Sequence, residues 1–269
     1  MNREKKLAAG VIIGVALLAV FAGVIARDSY SDQFREAIDA APSWRFPLGT
    51  DELGRDRFAR LLHGTRISLL LAPAAALLST LIAAVIGGTA GYLGGRCERL
   101  ALAATDLFLS LPWLFLLLAV RALLPLNASP VTSVAITFSL LGCLGWANPA
   151  RIIRAATRAL IGSDYILHAK ASGIGGARLF WLYVVPNLRP VLLAQFWISI
   201  PVFILSEANL ALLGLGVSEP LPSWGGLLKE LENYSAVLGH PSMLVPLLLL
   251  IAVVSCLQLL LQTEEPSPC

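Results

Sequence analysis

Few side chains in this sequence are placed for covalent chemistry. Cys97, Cys143, Cys256 and Cys269 share no CxxC or metal-like spacing, and His63, His168 and His240 are scattered. Isolated cysteines in apolar runs act as small hydrophobes. No catalytic residue, metal site or cofactor is expected. A GxxxxGK[ST] run is absent, so nucleotide must be bound by another chain if it is used at all. Glu207 stands alone within the apolar run ILSEANLALLG. A carboxylate at membrane depth is costly, so it faces a water-filled path or the interior of a helix bundle. Both a path-lining role and a structural hydrogen bond stay open for it. A different chemistry is written in Asp164–Asn187, DYILHAKASGIGGARLFWLYVVPN. A few residues suffice to turn a chain between two spans. A long polar, basic, glycine-punctuated stretch offers a docking surface to something in the water.

The elements around these residues belong in a bilayer. The chain has 269 residues, 57% hydrophobic and only 14% charged, with mean hydropathy +0.77. A water-facing surface needs about a quarter charged residues. The net charge of +3 is spread out, and no basic block suggests nucleic acid. Six apolar segments are marked: Leu7–Ala26, Ile67–Leu93, Asp106–Leu124, Val131–Ala150, Val191–Leu213 and Met243–Gln262. Each reaches the roughly 20 residues that a helix needs to cross the hydrocarbon. Lipid leaves open strands unpaired, so helices are expected throughout. Arg3, Lys5 and Lys6 precede the first segment, whose length favours a retained anchor over a signal peptide. Pro73, Pro112, Pro149, Pro201 and Pro246 predict kinks. Gly87, Gly88, Gly91, Gly94 and Gly95 give the second span a small-residue face for close packing. With both termini inside, eleven basic residues lie on the cytoplasmic side against nine outside, seven of these in the loop Arg27–Arg66. Asp106 and Arg121 are expected to snorkel from span ends, and Asn148 and Asn209 to join helices.

In the polar loop, Ser163 or Asp164 is a candidate N-cap, Tyr165–Ser172 a short helix, and Gly173 its end. Arg178–Val185 resumes a helix that Pro186 perturbs. The segment resembles the EAA loop of bacterial ABC-importer permeases. Asp164, Tyr165 and Ile166 match its start, and Ala169 its second alanine. Gly173 matches the fixed glycine, Arg178 the basic position, and Pro186 with Asn187 the close. His168, Ser172, Tyr183 and Val185 depart from the pattern. The resemblance implies that this loop is a coupling helix docking into a separate ATPase.

Two further stretches resemble permeases of the dipeptide, oligopeptide and nickel group. Pro47–Ser68 reads PLGTDELGRDRFARLLHGTRIS, and Leu212–Leu228 reads LLGLGVSEPLPSWGGLL. Taken by its residues, the first predicts a charged amphipathic helix at a membrane surface, with Leu53, Phe58, Leu61 and Leu62 on its apolar side. Pro220 and Pro222 predict an irregular outer loop, with Trp224 suited to the membrane interface. GYLGG at Gly91–Gly95 completes three separated motifs in order, and Glu207 matches a glutamate of the group.

The resemblance implies an all-α, six-helix membrane bundle of the type I importer permease kind. Residues 1–66 are read as an anchor helix and outer loop, 67–262 as a five-helix core with the coupling loop at 151–189, and 263–269 as a short tail. The group's basic tail is not matched there. The implied function is a non-enzymatic permease subunit of an ATP-driven importer of peptides, nickel or other small solutes. Glu207 would then lie on the translocation path. Expected partners are a second permease subunit, two ATP-binding subunits, an extracytoplasmic solute-binding protein and the bilayer of a bacterial inner membrane. A secondary transporter would show paired broken helices. A membrane-embedded enzyme would show convergent polar residues within the spans.

Overall fold

The computed structural model describes residues 3–124 and 129–261. The tail at 263–269 lies outside them. Among the described residues every regular element is a helix. Four helical stretches among the described residues are long and apolar enough to cross a membrane: Arg57–Leu93, Pro130–Ile161, Gly176–Leu212 and Pro241–Leu261. The pair Gly95–Ser110 and Trp113–Leu123 makes a fifth if it is counted as one broken span, bent by 87°. This differs from a straight crossing over Asp106–Leu124. Leu111 precedes Pro112, which disfavours the helical region for it, and its ψ is 133°. The first apolar segment forms the 18-residue helix Arg3–Val20. Its first turn is charged, with Arg3, Glu4, Lys5 and Lys6, so by composition it falls short of an independent span. A break at Phe21 leads into Ala22–Ile25.

The chain divides into two units. One comprises Met1–Ala72, Arg121–Phe138 and Pro201–Cys269. In it the first helix packs on Val245–Leu261 and turns Ala8, Val15 and Ala19 inward. Arg121 does not snorkel. It is 1% exposed and donates from Nε to the Leu215 carbonyl at 3.1 Å.

The other unit comprises Pro73–Val120 and Ser139–Ile200. Here the small-residue face of Arg57–Leu93 meets the helix Ala147–Ile161. A Cβ on Gly91 would fall 2.7 Å from both the Arg154 carbonyl oxygen and Thr157 Cβ. Only glycine lets the two backbones approach that closely. Ala83, Trp146, Ala147, Ala150 and Ile153 fill the contact beside it. Glu98 receives Arg154 at 2.5 Å, and the exposed Asp106 pairs with Arg151.

Candidate functional site

The loop Asp164–Asn187 lies wholly in the second unit. Its helix is Asp164–Ala171. Ser163 holds the extended N-cap conformation, but its Oγ donates to the Leu160 carbonyl at 2.6 Å instead of capping. Asp164 in the first turn and Lys170 in the last complement the helix dipole. The helix ends at Gly173, with φ +79°. There the Gly173 N–H donates to the Lys170 carbonyl at 3.0 Å, and the Ile174 N–H to the Ala169 carbonyl at 3.1 Å. This paired arrangement is a Schellman turn, whose left-handed residue is usually glycine.

The helix has two faces. Ile166 and Ala169 are buried with Leu179, Val184 and Leu188, against Tyr92, Leu160 and Ile174. Tyr165 (54% exposed) and Leu167 (50%) stand outward with Asp164 and Lys170. The motif alanine Ala169 therefore holds the helix down and does not offer itself to a partner. Gly173 and Arg178 are exposed, and Arg178 makes no ion pair among the described residues.

Beyond Gly175 the chain turns back into Gly176–Leu179 and then a π-helical turn, Phe180–Val184. The Val185 N–H reaches five residues back to the Phe180 carbonyl. Pro186 follows at once. It has no N–H, and its ring crowds the preceding turn, so the widened turn sits where an α-helical one is least tenable. Asn187 Nδ2 donates to the Tyr183 carbonyl at 2.6 Å. Two braces were not visible in the motif. Tyr92 of GYLGG donates from its hydroxyl to the Gly176 carbonyl at 2.7 Å and lies 5.0 Å from the Phe180 ring. Tyr165 and Tyr183 rings approach to 5.6 Å. Exposed Trp181 and Leu182 were missed as well. Their neighbours read as a simple helix, and only the side a residue faces marks them.

In the first unit, Glu207 is fully buried and joined to the Leu212–Leu228 loop. Its Oε1 accepts from Ser223 Oγ at 2.7 Å and its Oε2 from the Gly225 N–H at 3.2 Å. Ser223 Oγ also caps the next helix by accepting from the Gly226 N–H at 3.1 Å. A Cβ on Gly225 would lie 2.6 Å from Ala211 Cβ, so the loop lies directly on the Glu207 helix. Trp224 is not at a membrane interface. It is wholly buried and donates from Nε1 to Thr65 Oγ1 at 2.9 Å, while its N–H donates to Ser68 Oγ at 3.2 Å. An indole needs a partner when enclosed, and Thr65 supplies it.

The charges of Pro47–Ser68 also turn inward, where sequence alone places them on a surface helix. The helix starts at Arg57 and continues unbroken into the span. Arg60, 1% exposed, meets Glu219 Oε1 at 3.1 Å, Glu230 Oε1 at 3.3 Å and Asp51 Oδ2 at 3.7 Å. Arg55 bonds Asp51 at 2.7 Å and also pairs with Glu219. Glu219 and Glu230 are distant in sequence, so no local pattern marks them. Burial pushes the Glu219 carboxyl up, but the hydrogen bond and charge of Arg60, then those of Arg55, hold it below the usual glutamate value. For Glu230 burial prevails over the pull of Arg60, and its pKa is raised.

Residues 80–266 match the family described as the binding-protein-dependent transport system inner membrane component. The chain belongs to this family. It is 34% identical over 220 residues to the oligopeptide transport system permease protein OppC of Bacillus subtilis, covering 82% of this chain and 70% of that one. Against the di/tripeptide transport system permease protein DppC of Pseudomonas aeruginosa it is 36% identical over 229 residues, covering 82% and 73%. Against the dipeptide permease DppC of B. subtilis the figures are 32% over 227 residues, 84% and 69%. The chain is thus a non-catalytic, multi-pass permease subunit of an ABC importer, working with other transporter subunits.

Glu207→Gln removes one of two acceptors, since an amide has a single oxygen. The Gly225 N–H or the Ser223 hydroxyl then loses its partner in a dry site, at a cost of about 1–3 kcal/mol. The expected result is a lower melting temperature in detergent, with uptake falling only as far as the amount of assembled transporter falls. Lost uptake at an unchanged melting temperature and unchanged assembly would instead mark Glu207 as a charge used in transport.

Proposed function

We propose that this permease forms half of the translocation path of an importer of short peptides. It pairs with a second permease, receives solute from an extracytoplasmic binding protein, and is driven by two ATPase subunits on the cytoplasmic side. The observation that carries the reading is the two-faced helix Asp164–Ala171: Ile166 and Ala169 seat it, and Tyr165, Leu167 and Lys170 are left outward. Asp164, Tyr165, Gly173 and Arg178 would meet the ATPase. Ala169, Pro186 and Asn187 would shape the seat. A push on the outer face passes through Ile166 and Ala169 to Leu179, Val184 and Leu188, at the base of Gly176–Leu212. That shared packing suits a transmitted motion, provided that the ATPases bind the two states of the path unequally.

Peptides are favoured over nickel because the relatives are named for oligopeptide and dipeptide transport. The balance of basic residues supports both termini in the cytoplasm of a bacterial cell. Residues 1–66 then serve as anchor and outer cap, and 67–262 as the core. Glu207 serves the path by holding the PSWG segment in place.

Affinity purification of the tagged chain, expressed with the genes that flank its own, tests this. It should bring down an ATPase and a second permease, and peptide-loaded binding protein should stimulate hydrolysis in nanodiscs. A chain that purifies alone and supports uptake driven by an ion gradient without ATP would overturn the reading in favour of a secondary transporter.

A further inference from the structure

At the far end of the first helix lies a cationic cavity that the transport reading does not use. Residues 7–20 and, past the break at Phe21, Ala22–Ile25 together make an uncharged apolar stretch of about the 20 residues that cross the hydrocarbon core. With Lys5 and Lys6 in one headgroup layer, Ile25 and Arg27 emerge in the other. A cavity of about 310 Å³ opens at that level, lined by Ile25, Arg27, Trp44, Arg45, Asp56 and Phe58 among others. Arg45 is held in place by aromatic rings, its guanidinium carbon 4.8 Å from the Phe34 centroid and 5.2 Å from that of Phe46. Neither Arg27 nor Arg45 forms an ion pair among the described residues. The nearby Arg55, Arg57 and Arg60 all do. Asp56 is committed elsewhere, its Oδ1 accepting from the Phe58 N–H at 2.9 Å at the start of the long helix. Trp44 is 91% exposed, and Leu17, Phe21 and Val24, four and three residues apart toward the end that carries Ile25, are uncovered as well. Tryptophan at headgroup depth above apolar side chains is the pattern of a membrane boundary.

We propose that this cavity binds the phosphate of an anionic phospholipid, with Arg27 and Arg45 on the phosphate oxygens and the acyl chains along Leu17, Phe21 and Val24. Two arginines and one carboxylate leave a single positive charge. A phosphodiester without a headgroup cation neutralises it, whereas a choline would bring its own cation against the arginines.

The test is native mass spectrometry of the full chain in its purified transporter. Phosphatidylglycerol and phosphatidylcholine of identical acyl chains are titrated in turn. Phosphatidylglycerol should be retained about tenfold better, equivalent to about 1.4 kcal/mol. Arg27→Gln with Arg45→Gln should abolish the preference, and Arg35→Gln, outside the cavity, should keep it. If the double variant does not assemble, Arg45→Lys alone should weaken retention, because lysine lacks the planar fork. Several results overturn the proposal. One is undiminished retention in the arginine variants. Another is equal loss in Arg35→Gln, which means diffuse attraction. Displacement of the lipid by millimolar inorganic phosphate means an ion site without acyl contacts. A preference seen in the isolated chain but lost in the assembled transporter assigns the cavity to a partner subunit.

Discussion

Gly173→Asp is expected to lower ATPase co-purification and stimulated hydrolysis about tenfold or more, the equivalent of ~1.4 kcal/mol of docking free energy. Gly173 sits at φ +79°, and a Cβ there meets nothing within 4 Å. The chain itself has room for a side chain. What the substitution meets is a backbone preference and whatever docks outside. Asn and Asp both tolerate left-handed backbone, so Gly173→Asn carries a similar conformational cost of about 1 kcal/mol. The two variants differ in charge. A carboxylate at a helix C-terminus adds a penalty of about 0.3–1 kcal/mol, which melting of the purified chain measures separately. The expected order is therefore Asn near wild type in hydrolysis and Asp strongly impaired, with the melting temperature of Asp only slightly below that of Asn. Wild-type stimulated hydrolysis in the Asp variant would remove this turn from the docking face.

Arg60→Met should have the largest effect on stability. Removing one partner from a buried charge cluster costs up to about 3–5 kcal/mol. Here Arg55 stays beside Asp51 and Glu219 and Arg57 beside Glu230, so the loss falls on the partly compensated Glu230 and Asp51. Its pH dependence follows from the two glutamates. Glu219 has a lowered pKa, so its contribution is present above the ordinary value of 4.5 and is lost as pH falls through the lowered value. Glu230 has a raised pKa, so its contribution is full below 4.5 and is lost as pH rises through the raised value. In the native protein the two windows meet at 4.5, so stability falls on the acid side through Glu219 and on the other side, as pH rises through the raised value, through Glu230. In Arg60→Met Glu219 keeps Arg55, whereas Glu230 loses the pull of Arg60 and burial raises it further. The variant should then melt at a higher temperature near pH 5 than near pH 8, with a wider gap than the wild type shows. A destabilisation of the same size at both pH values would mean that lost packing, not stranded charge, is responsible.

These two sites differ in how far they were legible. The loop could be found in the sequence because its frame is local: Ala169, Gly173, Pro186 and Asn187 lie within one stretch. Glycine at a helix end has a known use, and Gly173 has that use here. The direction each residue faces was not legible. Ala169 matches a motif and is buried, whereas Leu167 matches nothing and is exposed. In the cluster around Arg60, Arg57 and Arg60 look like surface charges beside Leu61 and Leu62, because the helical period records neighbours along the chain. Their partners Glu219 and Glu230 arrive from the far end of the sequence. Trp224 was misplaced for a related reason. A tryptophan beside prolines suits a membrane boundary until Thr65 and Ser68 are found waiting for its two N–H groups.

The π-helical turn at Phe180–Val184 has a consequence of phase. In an unbroken α-helix each residue advances the azimuth by about 100°, so positions four apart share a face. Here Leu179 and Val184, five apart, are buried in one cluster, and Leu188 follows at the ordinary interval of four. The widened turn absorbs one surplus residue and resets the rotation of everything after it. The short piece that meets the helix Asp164–Ala171 and the long span beyond therefore keep separate angular registers, joined by a single step just before Pro186. Which face the start of the span turns toward Ile166 and Ala169 is indexed from that step.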